Sequence, residues 1–86
     1  MTSNAEFEYD LGVVGLGYVG LPLAVESSKQ GLKVIGYDIN LERVEMINNG
    51  ISPIEDISND ELSNALNNFN STLDSELLSK CQNVVI

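Results

Sequence analysis

The chain contains no histidine, a single cysteine, two prolines and only four lysines and arginines in 86 residues. Without histidine the commonest general base is missing, and no Cys/His cluster can hold a metal. Cys81 alone cannot form an internal disulfide. Thirteen acidic residues against four basic ones leave a formal charge of −9, which argues against nucleic acid and anionic membrane as partners, since both need basic patches. No apolar run approaches the roughly eighteen residues of a membrane span, and Met1–Asp10 lacks the basic-then-apolar pattern of a secretory signal. The expected location is therefore the cytoplasm. A chain of this size makes one domain at most, with a small core.

What the chain does have is Gly15-Leu16-Gly17-Tyr18-Val19-Gly20, directly after the apolar run Leu11-Gly12-Val13-Val14 and before a helix-patterned stretch from Val19 to Gln30. A dinucleotide fingerprint sits at such a strand-to-helix junction, with an acidic residue about 20 positions further on. Asp38 closes the next apolar run and meets that requirement. In this reading Gly15 permits the tight turn, Gly17 lets backbone approach a pyrophosphate, and Gly20 allows helix and strand to pack closely. The helix N-terminus binds the phosphates through its unpaired N–H groups and dipole, with no need of basic side chains. The alternative is a turn with the same glycines in a domain that binds no nucleotide.

The pattern along the chain predicts an α/β fold: a Rossmann-like parallel sheet with flanking helices, the N-terminal half of a dinucleotide-binding domain. A polar tail over residues 1–9 precedes a partial domain over residues 10–86. Strands are expected near Asp10–Val14, Lys33–Tyr37, Asn70–Leu73 and Asn83–Ile86. The first helix should turn Val19, Leu23 and Ser27 to one face with Leu21, Ala24 and Val25 nearby, and end at Gln30-Gly31. Asn40 should cap a second helix with Leu41, Val44 and Ile47 inward, stopped by Asn48-Asn49-Gly50. After a loop around Pro53, Ser58-Asn59-Asp60-Glu61 reads as a capping box opening a third helix with Leu62, Ala65, Leu66 and Phe69 at helical spacing. Asp74 should cap a brief helix containing Leu77, Leu78 and Cys81. Crossovers of these lengths imply parallel pairing with helices on both faces.

At the end of the second strand, the Asp38 carboxylate would accept hydrogen bonds from the 2′- and 3′-hydroxyls of an adenosine ribose. It would repel the 2′-phosphate of NADP, and Ile39 follows it where an arginine could have welcomed that group. Two alternatives stay open: Asp38 caps the helix near Asn40, and Arg43 is either a rim contact to the ribose or a surface ion-pair residue. Cys81 reads as a small core hydrophobe. Pro22 suits a first helical turn, where a missing N–H is harmless, and Tyr18 stacks beside a cofactor or shields the turn. No catalytic constellation and no metal site is visible.

Three stretches carry a family resemblance: Gly15-Leu16-Gly17-Tyr18-Val19-Gly20-Leu21-Pro22-Leu23, Val34-Ile35-Gly36-Tyr37-Asp38-Ile39, and Asn48-Asn49-Gly50-Ile51-Ser52-Pro53-Ile54. Together they resemble the N-terminal segment of the UDP-glucose/GDP-mannose dehydrogenase family, the nucleotide-sugar 6-dehydrogenases. The resemblance runs from about Leu11 to Ile86 and ends just before the family's Pro-Thr-Pro loop. It implies a parent enzyme of polysaccharide biosynthesis that oxidises C6 of a nucleotide-linked sugar twice, alcohol to carboxylate. Two hydrides would pass to NAD⁺, with a thiohemiacetal on a catalytic cysteine that lies downstream and is not Cys81. It further implies cofactor contacts by Gly15, Gly17, Tyr18, Val19, Gly20, Asp38 and Arg43, a UDP-sugar held mainly by the rest of the parent, and a homo-oligomeric parent. This chain alone would be inactive. Where many UDP-glucose enzymes have Glu-Pro-Gly, this chain has Glu55-Asp56-Ile57-Ser58, which is more like the N-acetylhexosamine branch. The competing expectations are a non-catalytic module that binds a partner through an unfinished sheet edge, and another dinucleotide-dependent oxidoreductase, such as an FAD enzyme.

Overall fold

The computed structural model describes residues 7–86. Four parallel strands form one sheet: β1 (Tyr9–Val14), β2 (Val34–Tyr37), β3 (Phe69–Thr72) and β4 (Cys81–Val85), in the order β3-β2-β1-β4. Between them lie α1 (Gly20–Lys29), α2 (Leu41–Asn48), α3 (Asn59–Ala65) and a 3-10 helix (Ser75–Lys80). Most of the tail expected over residues 1–9 lies outside the described residues. Tyr9 is already in the sheet, paired with Cys81.

The helix ends follow local chemistry. Asn40 accepts the N–H of Arg43 to start α2, Ser58 and Glu61 form the capping box of α3, and Asp74 accepts the N–H of Glu76 to start the 3-10 helix. The Ser58 N–H, and then Lys29, hold the Glu61 carboxyl below its ordinary range. Gly31 and Gly50 follow α1 and α2 with φ of 93° and 78°, the left-handed region that glycine enters without strain.

The core lies between the sheet and α1, α2 and α3. Leu11, Val13, Val34 and Phe69 face Leu21, Ala24, Val25, Ile47, Leu62 and Ala65 there, with Ile54 and Ile57 of the loop before α3 closing one side. Buried polar groups are satisfied: Ser28 donates to the carbonyl of Ala65, and Asn48 exchanges hydrogen bonds with the backbone of Ser71, fastening α2 to β3. On the opposite face, set by strand alternation, the space above Gly12 is filled by Sγ of Cys81 and Cδ2 of Leu78. Burial pushes the Cys81 thiol up, as befits a small core hydrophobe. Among the described residues the 3-10 helix is the one helical element on that side.

Several expectations are corrected. The buried stripe of α1 is Leu21, Ala24, Val25 and Ser28; Val19 precedes the helix and is 83% exposed, and Leu23 is also exposed. The stripe starts at Leu21 because Gly20 must lie against β1 before the helix can turn its face to the sheet. Leu41, the first residue of α2, is 53% exposed and not part of the core. Phe69 belongs to β3, not to α3: the chain leaves the helix after Ala65, the Asn68 N–H closes back on the Ala65 carbonyl, and the Asn68 carbonyl accepts from Val34. Cys81 opens β4 rather than lying within the preceding helix.

Candidate functional site

β1 ends where the chain must reverse into α1. Gly15 has φ of 89°, and its N–H donates to the carbonyl of Tyr37, tying the turn to β2. A Cβ on Gly20 would be driven into the carbonyl of Gly15 and would press on Val13, so this position is glycine for packing. Gly17 differs from both. A Cβ there would meet nothing within 4 Å and would instead project into open space.

That space is a groove of about 370 Å³ lined by Gly15, Gly17, Tyr18, Val19 and Gly20 on the turn, and by Val13, Val14, Leu23, Val85 and Ile86. Five of the seven expected contact residues therefore converge. Tyr18 is 72% exposed at the rim. No side chain caps α1 and no acidic residue lies in its first turn; the Leu21 N–H donates to the Gly17 carbonyl and Pro22 has none, so the N-terminal end of the helix dipole, with the N–H groups before Leu21, is what the turn presents to the groove. The four basic side chains are engaged elsewhere: Lys29 with Glu61, Arg43 with Asp38, Lys80 with Glu8, and Lys33 over the Tyr9 ring. No basic side chain lines the groove.

Asp38 and Arg43 stand beside the turn rather than in the groove wall. The Asp38 carboxylate is 7% exposed. Its Oδ2 accepts the N–H of Leu16 at 2.8 Å and Nη1 of Arg43 at 3.2 Å, while Oδ1 accepts the N–H of Asn40 at 2.9 Å. Burial favours the neutral acid, but these donors outweigh it and hold the carboxyl below its ordinary value. The cap of α2 is Asn40 itself, so Asp38 is not that helix's cap. The sequence reading missed Leu16. Its side chain is fully buried over Gly36, where a Cβ would come within 2.7 Å of Leu16 Cδ2. A large apolar residue between the first two glycines was the available signal.

Residues 9–86 match the family model described as "UDP-glucose/GDP-mannose dehydrogenase family, NAD binding domain". The chain belongs to this family. Protein CapL of Staphylococcus aureus is 38% identical over 77 residues, covering 90% of this chain and 18% of that protein. UDP-N-acetyl-D-glucosamine 6-dehydrogenase of Pseudomonas aeruginosa is 40% identical over 76 residues, covering 88% of this chain and 18% of the relative. Among solved structures, a ternary complex of GDP-mannose dehydrogenase from Pseudomonas aeruginosa superposes with a TM-score of 0.78 at 28% identity, over 88% of this chain and 19% of that one. The chain thus spans less than a fifth of the length of these relatives.

The cofactor of this family domain is NAD, and the residues present fit it. Gly17 leaves open the space a Cβ would fill, the N-terminal end of α1 carries no side-chain cap and no acidic residue, and a buried anionic carboxylate stands beside the turn. As a nucleotide-sugar dehydrogenase NAD-binding domain, the chain has its groove at the carboxyl end of β1, where ligands of open α/β sheets bind. No helix of the described residues is long and apolar enough to cross a membrane.

Proposed function

We propose that this chain supplies NAD binding to a nucleotide-sugar 6-dehydrogenase, whose parent converts the C6 alcohol of a UDP-linked sugar to a carboxylate. The observation that carries the reading is the glycine turn: Gly15 takes a positive φ, Gly20 lies too close to the Gly15 carbonyl for a Cβ, and Gly17 leaves its space open, all at the mouth of one groove. When bound, NAD⁺ accepts the hydride from the sugar carbon. The chain's residues bind and orient: backbone N–H groups around Gly17, Tyr18 and Val19 take the pyrophosphate, and Gly15 and Gly20 hold the turn in shape. Asp38 takes the adenosine ribose, because Oδ1 accepts only from Asn40 and keeps acceptor capacity for a hydroxyl. Arg43, already on Asp38, lies at the rim of that subsite. A 2′-phosphate would meet the anionic Asp38, which favours NAD over NADP.

The sugar proposed is an N-acetylhexosamine. The Glu55-Asp56-Ile57-Ser58 stretch supports it, together with relatives named UDP-N-acetyl-D-glucosamine 6-dehydrogenase and UDP-N-acetyl-D-mannosamine dehydrogenase. The parent is proposed to be a cytoplasmic homo-oligomer that holds the UDP-sugar mainly through segments beyond this chain, which by itself binds cofactor and oxidises nothing. Calorimetry with NAD⁺ and NADP⁺ tests the cofactor assignment: NAD⁺ should bind at least about tenfold tighter, a difference near 1.4 kcal/mol, and Asp38→Ala should erase the preference. Equal affinity in the unmutated chain would remove Asp38 from the ribose site. Activity of the parent on UDP-glucose but not on UDP-N-acetylhexosamines would overturn the sugar assignment.

A further inference from the structure

Asp38 does more in this structure than wait for a ribose. Its Oδ2 reaches back 22 residues in sequence to the N–H of Leu16, and Oδ1 holds the N–H of Asn40 at the entry to α2. Leu16 is thereby gripped twice, its backbone by Asp38 and its fully buried side chain packed over Gly36, which the Phe69 ring also approaches. The neighbouring Gly15 N–H is held by the carbonyl of Tyr37, the residue before Asp38. Gly17, the next residue, faces the groove. The end of β2 therefore sets where the phosphate-facing backbone lies, and in a buried site a hydrogen bond to a charged acceptor is among the stronger ones.

We propose that Asp38 is a positioning residue for the glycine turn as well as the ribose contact, so that one carboxylate sets both cofactor preference and the geometry of the pyrophosphate cradle. The proposal rests on the cofactor reading above. Its consequence is that the two properties cannot be changed separately. A substitution at Asp38 intended to admit NADP also loosens Leu16 and weakens every ligand that uses the turn, including one with no ribose hydroxyls to contact.

The test uses Asp38→Asn, which keeps the shape of the side chain but replaces one acceptor oxygen by a donor. The probes are NAD⁺ and an NAD⁺ analogue lacking the 2′- and 3′-hydroxyls of the adenosine ribose. Loss of a hydrogen bond to a charged partner should speed amide exchange at Leu16 on the order of tenfold without ligand, and weaken the analogue by a similar factor. If Asp38 served the ribose alone, the analogue would bind the variant and the unmutated chain equally, and Leu16 exchange would not change; either result overturns the proposal. Failure of the unmutated chain to bind NAD⁺ would instead sink the cofactor reading, while the exchange of Leu16 would still decide whether Asp38 holds the turn.

Discussion

On the side of the sheet that carries α1, α2 and α3, Val13, Val34 and Phe69 are wholly enclosed by helix and loop side chains. On the other side, Gly12 lies under Leu78 of one short 3-10 segment and Cys81 at the start of β4, Ile35 is buried beside it, and Val84 of the edge strand stays 43% exposed. The same strands thus carry one face that holds most of the buried apolar side chains and one that holds few, Ile35 and Cys81 among them. Because apolar burial dominates folding stability, the fold should depend on the first face and tolerate change on the second. The nucleotide groove lies at the strand ends, where Leu16 connects it to the well-packed face.

The most damaging change should be Phe69→Ala, which removes the largest buried side chain; chemical denaturation should register a loss of about 3–5 kcal/mol, a large part of the stability of a chain this short. Next is Gly36→Ala, whose Cβ would meet both Leu16 methyls and the Phe69 ring within 3 Å. Both neighbours are fully buried in the packed core, so a cost of about 1–3 kcal/mol is expected. Gly12→Ala makes the matching intrusion on the sparse face, 2.7 Å from Cys81 Sγ, yet should cost only about 1 kcal/mol because Leu78 can yield. Adding Cys81→Ala should restore part of that loss, which a double-mutant cycle reads directly. Val84→Ser should shift stability by less than about 0.5 kcal/mol. Equal costs at Gly36 and Gly12 would break the contrast between the faces.

Acid sharpens the comparison from another side. The folded chain holds the Asp38 carboxyl below its unfolded value, so its contribution is fully present above about pH 4 and is lost as the pH falls through the depressed folded value. The Leu16 and Asn40 amide resonances should move together in that acid limb, and Asp38→Asn should remove the step.

Features specified by near neighbours in the chain were readable from sequence. Gly15, Gly31 and Gly50 announced positive φ, Asn40 and Ser58 with Glu61 announced helix starts, and the glycine turn announced its groove. What was hidden depends on contacts across the fold. Phe69 continues the helical spacing of α3, and only its pairing with Val34 makes it a strand residue. Leu41 and Val19 look like core by type but stand at the starts of α2 and α1 and are exposed. The Asp38 to Leu16 bond spans two elements and leaves no trace in local pattern, so the sequence offered Asp38 as a candidate ligand contact and held no sign of its grip on Leu16.

The central claim is that the turn binds NAD through backbone, with Asp38 beside it. An NMR titration of the chain with NAD⁺ tests it most directly. The account predicts amide shifts concentrated from Gly15 to Gly20 and at Asp38, with Lys29, Lys33 and Lys80 unmoved. Shifts centred on those lysines, or on the second groove at Glu42, Glu45, Met46, Asn49 and Ile51, would contradict it.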